Sequence, residues 1–171
     1  MIFALKFTIP FLLLVSMTPE AFTNLIATIT SRIQGRAIDG QLEQDLNALF
    51  PAGGQDYRAL FDACRSAIAA GWMCNREAGD IKFGRVIKPG PRTHGFSVDV
   101  VDMKPVVGPH HRHPNGEVDL IMPLAPEAQF DGRGPGWLVY GPGSAHHPTV
   151  TLGRALVLYL LPAGAIEFTQ T

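Results

Sequence analysis

The sequence predicts a mainly β fold, an antiparallel β-barrel preceded by a small N-terminal helical region. Three observations carry this. The apolar period is helical from Thr18 to about Trp72, and from Ile81 onward short runs rich in β-branched and aromatic residues replace it. Gly and Pro, 18 and 14 in number, cluster after residue 88 and supply the turns between those runs. With 46% hydrophobic residues, a chain of 171 residues can bury the core of one compact domain.

The helical half comes first. Phe22, Leu25, Ile26, Ile29 and Ile33 recur at i, i+3, i+4 and i+7, Thr18 can cap the run with Pro19 at its first position, and Gly35 stops it. Asp39 can cap a second helix that carries Leu42, Leu46, Leu49 and Phe50 on one face and ends at Pro51. A third follows Gly53 and Gly54, aligning Tyr57, Leu60, Phe61, Cys64, Ile68 and Trp72. Three short amphipathic helices cannot bury these faces alone. Residues 17–80 are therefore expected to pack on residues 81–171 or on a second subunit. In the second half the strand runs are 81–88, 95–101, 118–124, 137–140, 149–151, 155–161 and 165–168, a spacing that suits an antiparallel sandwich or barrel.

Charge and targeting narrow the function. Fourteen Lys and Arg against fifteen Asp and Glu leave a net charge of −1 with no basic run, which disfavours nucleic acid and anionic membranes as partners. Residues 1–16 are apolar apart from Lys6 and a few hydroxyls, too short to span a bilayer and without a small-x-small cleavage site. Met17 opens what reads as a natural start, so residues 1–16 are expected to be an upstream or signal-like tail and the protein cytoplasmic. Cys64 and Cys74 are then read as two buried thiols in preference to a disulfide.

Four of the six histidines fall in two places, His110-His111-Arg112-His113 and His146-His147. Residues two apart in a strand share a face, so His111 and His113 can both point into a barrel. Pro114-Asn115-Gly116 is a turn, and Glu117 directly after it can return its carboxylate to the same place. His146, following Gly143-Ser144-Ala145, is a third imidazole. It is preferred to its neighbour His147 because only one of two adjacent strand residues can face inward. Three neutral imidazoles and a carboxylate suit a divalent transition metal (Fe, Mn or Zn, with Ni and Cu compatible) and leave positions open for substrate.

These residues resemble the two metal motifs of the cupin superfamily, G-x5-H-x-H-x(3,4)-E-x6-G and G-x5-P-x-G-x2-H-x3-N. The ligand positions match and the framing ones drift. Pro105 and Leu124 replace the glycines of the first motif, Pro142 directly precedes Gly143, and Val150 stands for the final Asn. A narrower resemblance runs from Met17 to Phe22, from His113 to Leu124, and from Tyr140 to His146 and on through Leu158 to Pro162. These blocks look like the 4-hydroxylaminobenzoate lyase family of nitrobenzoate degradation. The resemblance implies conversion of 4-hydroxylaminobenzoate to 3,4-dihydroxybenzoate (protocatechuate) and ammonia, with the metal as Lewis acid and a small aromatic acid as substrate, in a homodimer or higher homo-oligomer.

Such a substrate asks for further residues. A guanidinium can grip its carboxylate with two parallel hydrogen bonds. Arg85 and Arg92, in or beside early barrel segments, are favoured over Arg154 and over Arg112, which alternation turns away from the ion. Tyr140 can donate a proton or stack on the ring, with core packing an equal alternative, and His147 can act as general acid or base if it does not simply face solvent. The competing functions are an Fe-dependent cupin dioxygenase and a non-catalytic ligand-binding cupin.

Overall fold

A computed structural model describes residues 17–169, so the expectation about residues 1–16 lies outside the described residues. Helices α1 (Pro19–Ile33), α2 (Gly40–Leu49) and α3 (Gln55–Ala69) come first, capped as the sequence indicates. The Thr18 hydroxyl accepts from the Ala21 amide at 3.1 Å and Asp39 accepts from Leu42 at 3.0 Å. Twelve strands follow: β1 (Arg76–Ala78), β2 (Ile81–Ile87), β3 (Phe96–Met103), β4 (Val106–Val107), β5 (His111–His113), β6 (Glu117–Pro123), β7 (Gln129–Phe130), β8 (Gly136–Tyr140), β9 (Ser144–His146), β10 (Thr149–Thr151), β11 (Ala155–Pro162) and β12 (Glu167–Phe168). A 3-10 turn, Pro91–Thr93, sits between β2 and β3.

The strands form one six-stranded sheet, ordered β1-β2-β3-β11-β6-β8, and two of three strands, β4-β10-β7 and β12-β5-β9. The pairings are antiparallel, and the fold is mainly β with its helices at the N-terminal end, as expected. The sheets are layered, and the small ones lie over one face of the large sheet. The other face carries the helices. Val98, Val100, Val118, Leu120, Leu156, Leu158 and Leu160 share a core with Phe22, Ile26, Leu42, Leu46 and Leu60. The alternate residues Ile121, Val157 and Leu161 pack inside the barrel with Phe130 and Val150.

That double burial explains why β11 reads as a continuous apolar run while the edge strands do not. It also explains which strands the sequence leaves unmarked. β1, β4, β7 and β9 are two or three residues long, too short to show a period of two. Cys64 and Cys74 are free thiols, both buried, as preferred above to a disulfide.

Candidate metal centre

β5 brings the first two donors together. His111 and His113 project to one side, while Arg112 between them faces outward and lies 3.6 Å from Glu167 of β12. β9 runs antiparallel to β5 with His146 directly opposite His111. The Nε2 atom of His146 is thereby 3.1 Å from that of His111 and 3.3 Å from that of His113. Glu117 enters from the first residue of β6, its Oε2 3.1 Å from His113 Nε2 and its Oε1 3.6 Å from His146 Nε2. One donor atom from each of these four side chains lies within 4.8 Å of the others.

The turn that returns Glu117 depends on Gly116. Its φ is +84°, and a Cβ there would lie 2.7 Å from Ile38 Cγ2 and 2.8 Å from the Tyr140 carbonyl oxygen. The local sequence thus fixes both the direction of β6 and the inward aim of its first side chain.

Electrostatics favour a cation at this point. Burial, reinforced by the neighbouring imidazoles, pushes the pKa of His111 down to about 4 and that of His113 to about 3. Both rings are neutral at neutral pH. His111 Nδ1 donates to the Pro109 carbonyl at 3.1 Å and His146 Nδ1 to Asp131 Oδ2 at 2.6 Å, which leaves their Nε2 lone pairs aimed at one another. Neither Glu117 oxygen has a hydrogen-bond partner, although the side chain is fully buried. Facing lone pairs and an orphaned buried carboxylate are unfavourable alone, and a divalent ion satisfies all of them together. The residues fit a metal.

Two further carboxylates surround the donors, and sequence reasoning missed both. Asp131, which follows β7, accepts from His146 Nδ1, from the Tyr140 hydroxyl at 2.6 Å and from the Thr149 amide at 2.7 Å. Hydrogen bonds from these three groups hold its carboxyl below the ordinary carboxylate range against the cost of burial. Asp119 is fully buried, with both oxygens unpartnered. Burial raises both acids of this pair, helped at Glu117 by the charge of Asp119 and at Asp119 by the charge of Asp131. The signal for Asp119 is in the sequence: Glu117 and Asp119 are two apart in an otherwise apolar strand and must share a face. Asp131 has no comparable signal, being brought to His146 by tertiary contact alone.

A cavity of about 550 Å³ opens beside the donors, with His111 in its wall. Phe83, Val101, Tyr159, Leu161, Ile166 and Phe168 make much of the lining, and Arg76, Arg85 and Asp99 are its charged groups. Arg85 is thus placed at the cavity, with Nε 3.0 Å from Asp99 Oδ1 and a second donor on the Gly164 carbonyl at 3.1 Å. Arg92 is not. It lies in the 3-10 turn docked on α1 and donates to Asn24 Oδ1 at 3.1 Å. Arg154 is committed to Asp102. Tyr140 sits inside, ring centroids 4.5 Å from His146, and its proton is engaged by Asp131, whose charge together with burial raises the phenol pKa. His147 points the other way: it is exposed, stacks near His110 with centroids 4.8 Å apart, and donates from Nδ1 to the Gly108 carbonyl.

Comparison with known proteins places this arrangement. Among solved structures, an RmlC-like cupin protein from Ralstonia eutropha JMP134 is similar with a TM-score of 0.40 and 12% identity, over 54% of this chain and 62% of that one. Two proteins named 4-hydroxylaminobenzoate lyase are similar along nearly their whole length. One, from Nocardioides sp. (strain LMS-CY), is 28% identical over 163 residues, covering 90% of this chain and 96% of that protein. The other, from Pseudomonas putida, is 26% identical over 166 residues, covering 87% and 94%. The family model described as 4-hydroxylaminobenzoate lyase matches residues 24–168, a span that takes in every strand, the four clustered donors and Asp131. On that match the chain belongs to the 4-hydroxylaminobenzoate lyase family.

Proposed function

We propose that this protein converts 4-hydroxylaminobenzoate and water to 3,4-dihydroxybenzoate and ammonia. The observation that carries the reading is the convergence of His111, His113, Glu117 and His146 on one point, with His111 in the wall of an apolar cavity of about 550 Å³, a size ordinary for small-molecule sites. The reaction is redox-neutral. It breaks the N–O bond, forms a C–O bond at the adjacent ring carbon, and exchanges C–N for C–O with net uptake of one water.

His111, His113, Glu117 and His146 would hold a divalent transition metal, which would supply a Lewis acid for the N–O cleavage. The chain's own residues do the rest. Phe83, Val101, Leu161 and Phe168 offer the ring an apolar bed and keep bulk water from the reacting carbon. Asp131 holds the Nδ1 proton of His146, so that this ring presents Nε2 inward, and Tyr140 fixes Asp131 by donating its own proton to it. Arg85, held by Asp99 and by the Gly164 carbonyl, forms a fixed part of the cavity wall.

Anaerobic incubation of metal-quantified protein with 4-hydroxylaminobenzoate tests this. Ammonia and the catechol should appear in equal amounts without oxygen. Product formed only with oxygen consumption would favour the dioxygenase reading, and tight binding of the acid without product would favour a ligand-binding role.

A further inference from the structure

Four arginines have been considered for the substrate carboxylate, and the cavity adds a fifth that the sequence does not single out. β1 pairs with β2 so that Arg76 lies opposite Phe83 and Glu77 opposite Lys82. Cross-strand partners share a face. Arg76 therefore stands on the barrel side with Phe83, and both line the cavity. Glu77 is turned outward, where its carboxylate lies 3.9 Å from Lys82. Arg85, two residues along from Phe83, is on that same inner face.

The two guanidiniums differ in what they already hold. Arg85 has Nε on both oxygens of Asp99, at 3.0 and 3.2 Å, and another donor on the Gly164 carbonyl at 3.1 Å. Its charge is met and its orientation fixed. Arg76 forms no hydrogen bond or ion pair with any described residue. Arg76, Arg85 and Asp99 are the charged side chains of the lining, so two guanidiniums face it against one carboxylate. Arg76 is also exposed, at the edge strand of the large sheet. A carboxylate is costly to bury, so the rim is where it loses least hydration while the ring goes inward.

We propose that Arg76 is the residue that binds the carboxylate of the aromatic acid, gripping it at the cavity rim, while the Arg85–Asp99 pair forms a fixed wall beside it. The site is thus selective for monoanionic aromatic acids over their uncharged analogues. The choice of substrate rests on the lyase reading, whereas the anion subsite itself does not.

The test compares 4-hydroxylaminobenzoate with phenylhydroxylamine, which lacks the carboxylate, in wild type, Arg76→Gln, Arg76→Lys and the double variant Arg85→Gln/Asp99→Asn. Arg76→Gln should reduce the kcat/KM preference for the acid at least about tenfold, chiefly through KM, because a charge-assisted hydrogen bond made equally in ground and transition states is lost. Arg76→Lys should restore part of it. The double change Arg85→Gln with Asp99→Asn removes the pair without altering the net charge of the lining, and should affect both substrates alike. An unchanged preference in Arg76→Gln, or a collapse of preference in the Arg85→Gln/Asp99→Asn protein alone, overturns the proposal. If wild type releases no ammonia, the lyase reading fails. Binding of benzoate against benzamide to the same metal-loaded proteins then decides the subsite. Selective weakening of benzoate in Arg76→Gln supports it, and equal benzoate affinity in both proteins overturns it.

Discussion

His146 owes its aim to one oxygen atom. Asp131 Oδ2 takes protons from both His146 Nδ1 and Tyr140, each at 2.6 Å, while Oδ1 is tied to the Thr149 amide. Replacing Asp131 by Asn removes the charge that selects the Nδ1–H tautomer. Metal affinity should fall about 10–100-fold, as measured by competition with a chelator. Undiminished affinity would mean that β9 alone positions the ring. At the donors themselves the effect is larger. His111→Ala or His113→Ala should abolish metal retention in equilibrium dialysis while leaving the circular dichroism of a folded protein, since each loses a ligand and relieves a cluster of facing lone pairs. The sequence showed these donors because strand alternation and a turn are local rules. It hid Asp131, whose role comes from contact between β7 and β9, and it could not separate Arg85 from Arg92, which differ only in what the tertiary fold sets beside them.

At the scale of elements, the β5–β6 turn and the docking of α3 are the points most open to test. Gly116→Ala would force a side chain into a positive-φ position already walled by Ile38 and the Tyr140 carbonyl. We expect a loss of about 1–3 kcal/mol in a denaturant titration, together with weaker metal binding from a displaced Glu117. α3 is held to the sheet by the Tyr57 hydroxyl, which donates to the Ile121 carbonyl at 3.1 Å. Burial pushes Tyr57 from 10.0 up to about 12 and Cys74 from 9.0 up to about 12. The folded protein keeps both protons where the unfolded chain has released them. Stability is therefore full below pH 9 and falls as pH rises toward 12. Urea midpoints across that window should drop, and less steeply in Tyr57→Phe. The three helices were legible from caps and period together. The short strands β1, β4, β7 and β9 were not, because two or three residues show no period, whereas the equally short β10 was marked by the β-branched run Thr149–Thr151.

On the scale of the whole molecule, the helical region and the barrel share one core. Leu156, Leu158 and Leu160 from β11 pack with Phe22, Ile26 and Leu46 from the helices. Helices and strands thus share a continuous interior, and β1 (Arg76–Ala78) already lies on the helical side of the expected boundary at residue 80. Thermal unfolding followed by helix and by aromatic signals should give coincident transitions, and a fragment of residues 81–171 should be insoluble, its large sheet bared on one face. Two separated transitions would contradict this. The sequence foretold that the helices needed a surface to cover, from their amphipathic stripes. It could not foretell which face of the sheet, since β11 is apolar on both.

β11 has its place between β3 and β6, yet it is the last long strand of the chain. On the ribosome, both of its neighbours emerge well before it and must wait with unpaired edges, and when it arrives it is itself an eight-residue stretch with no charge to deter mispairing. The most hazardous moment in folding therefore comes when this strand emerges, after both of its partners. Yield should depend on how quickly that strand is captured, favouring slow expression at low temperature or abundant chaperone over any change made near the metal.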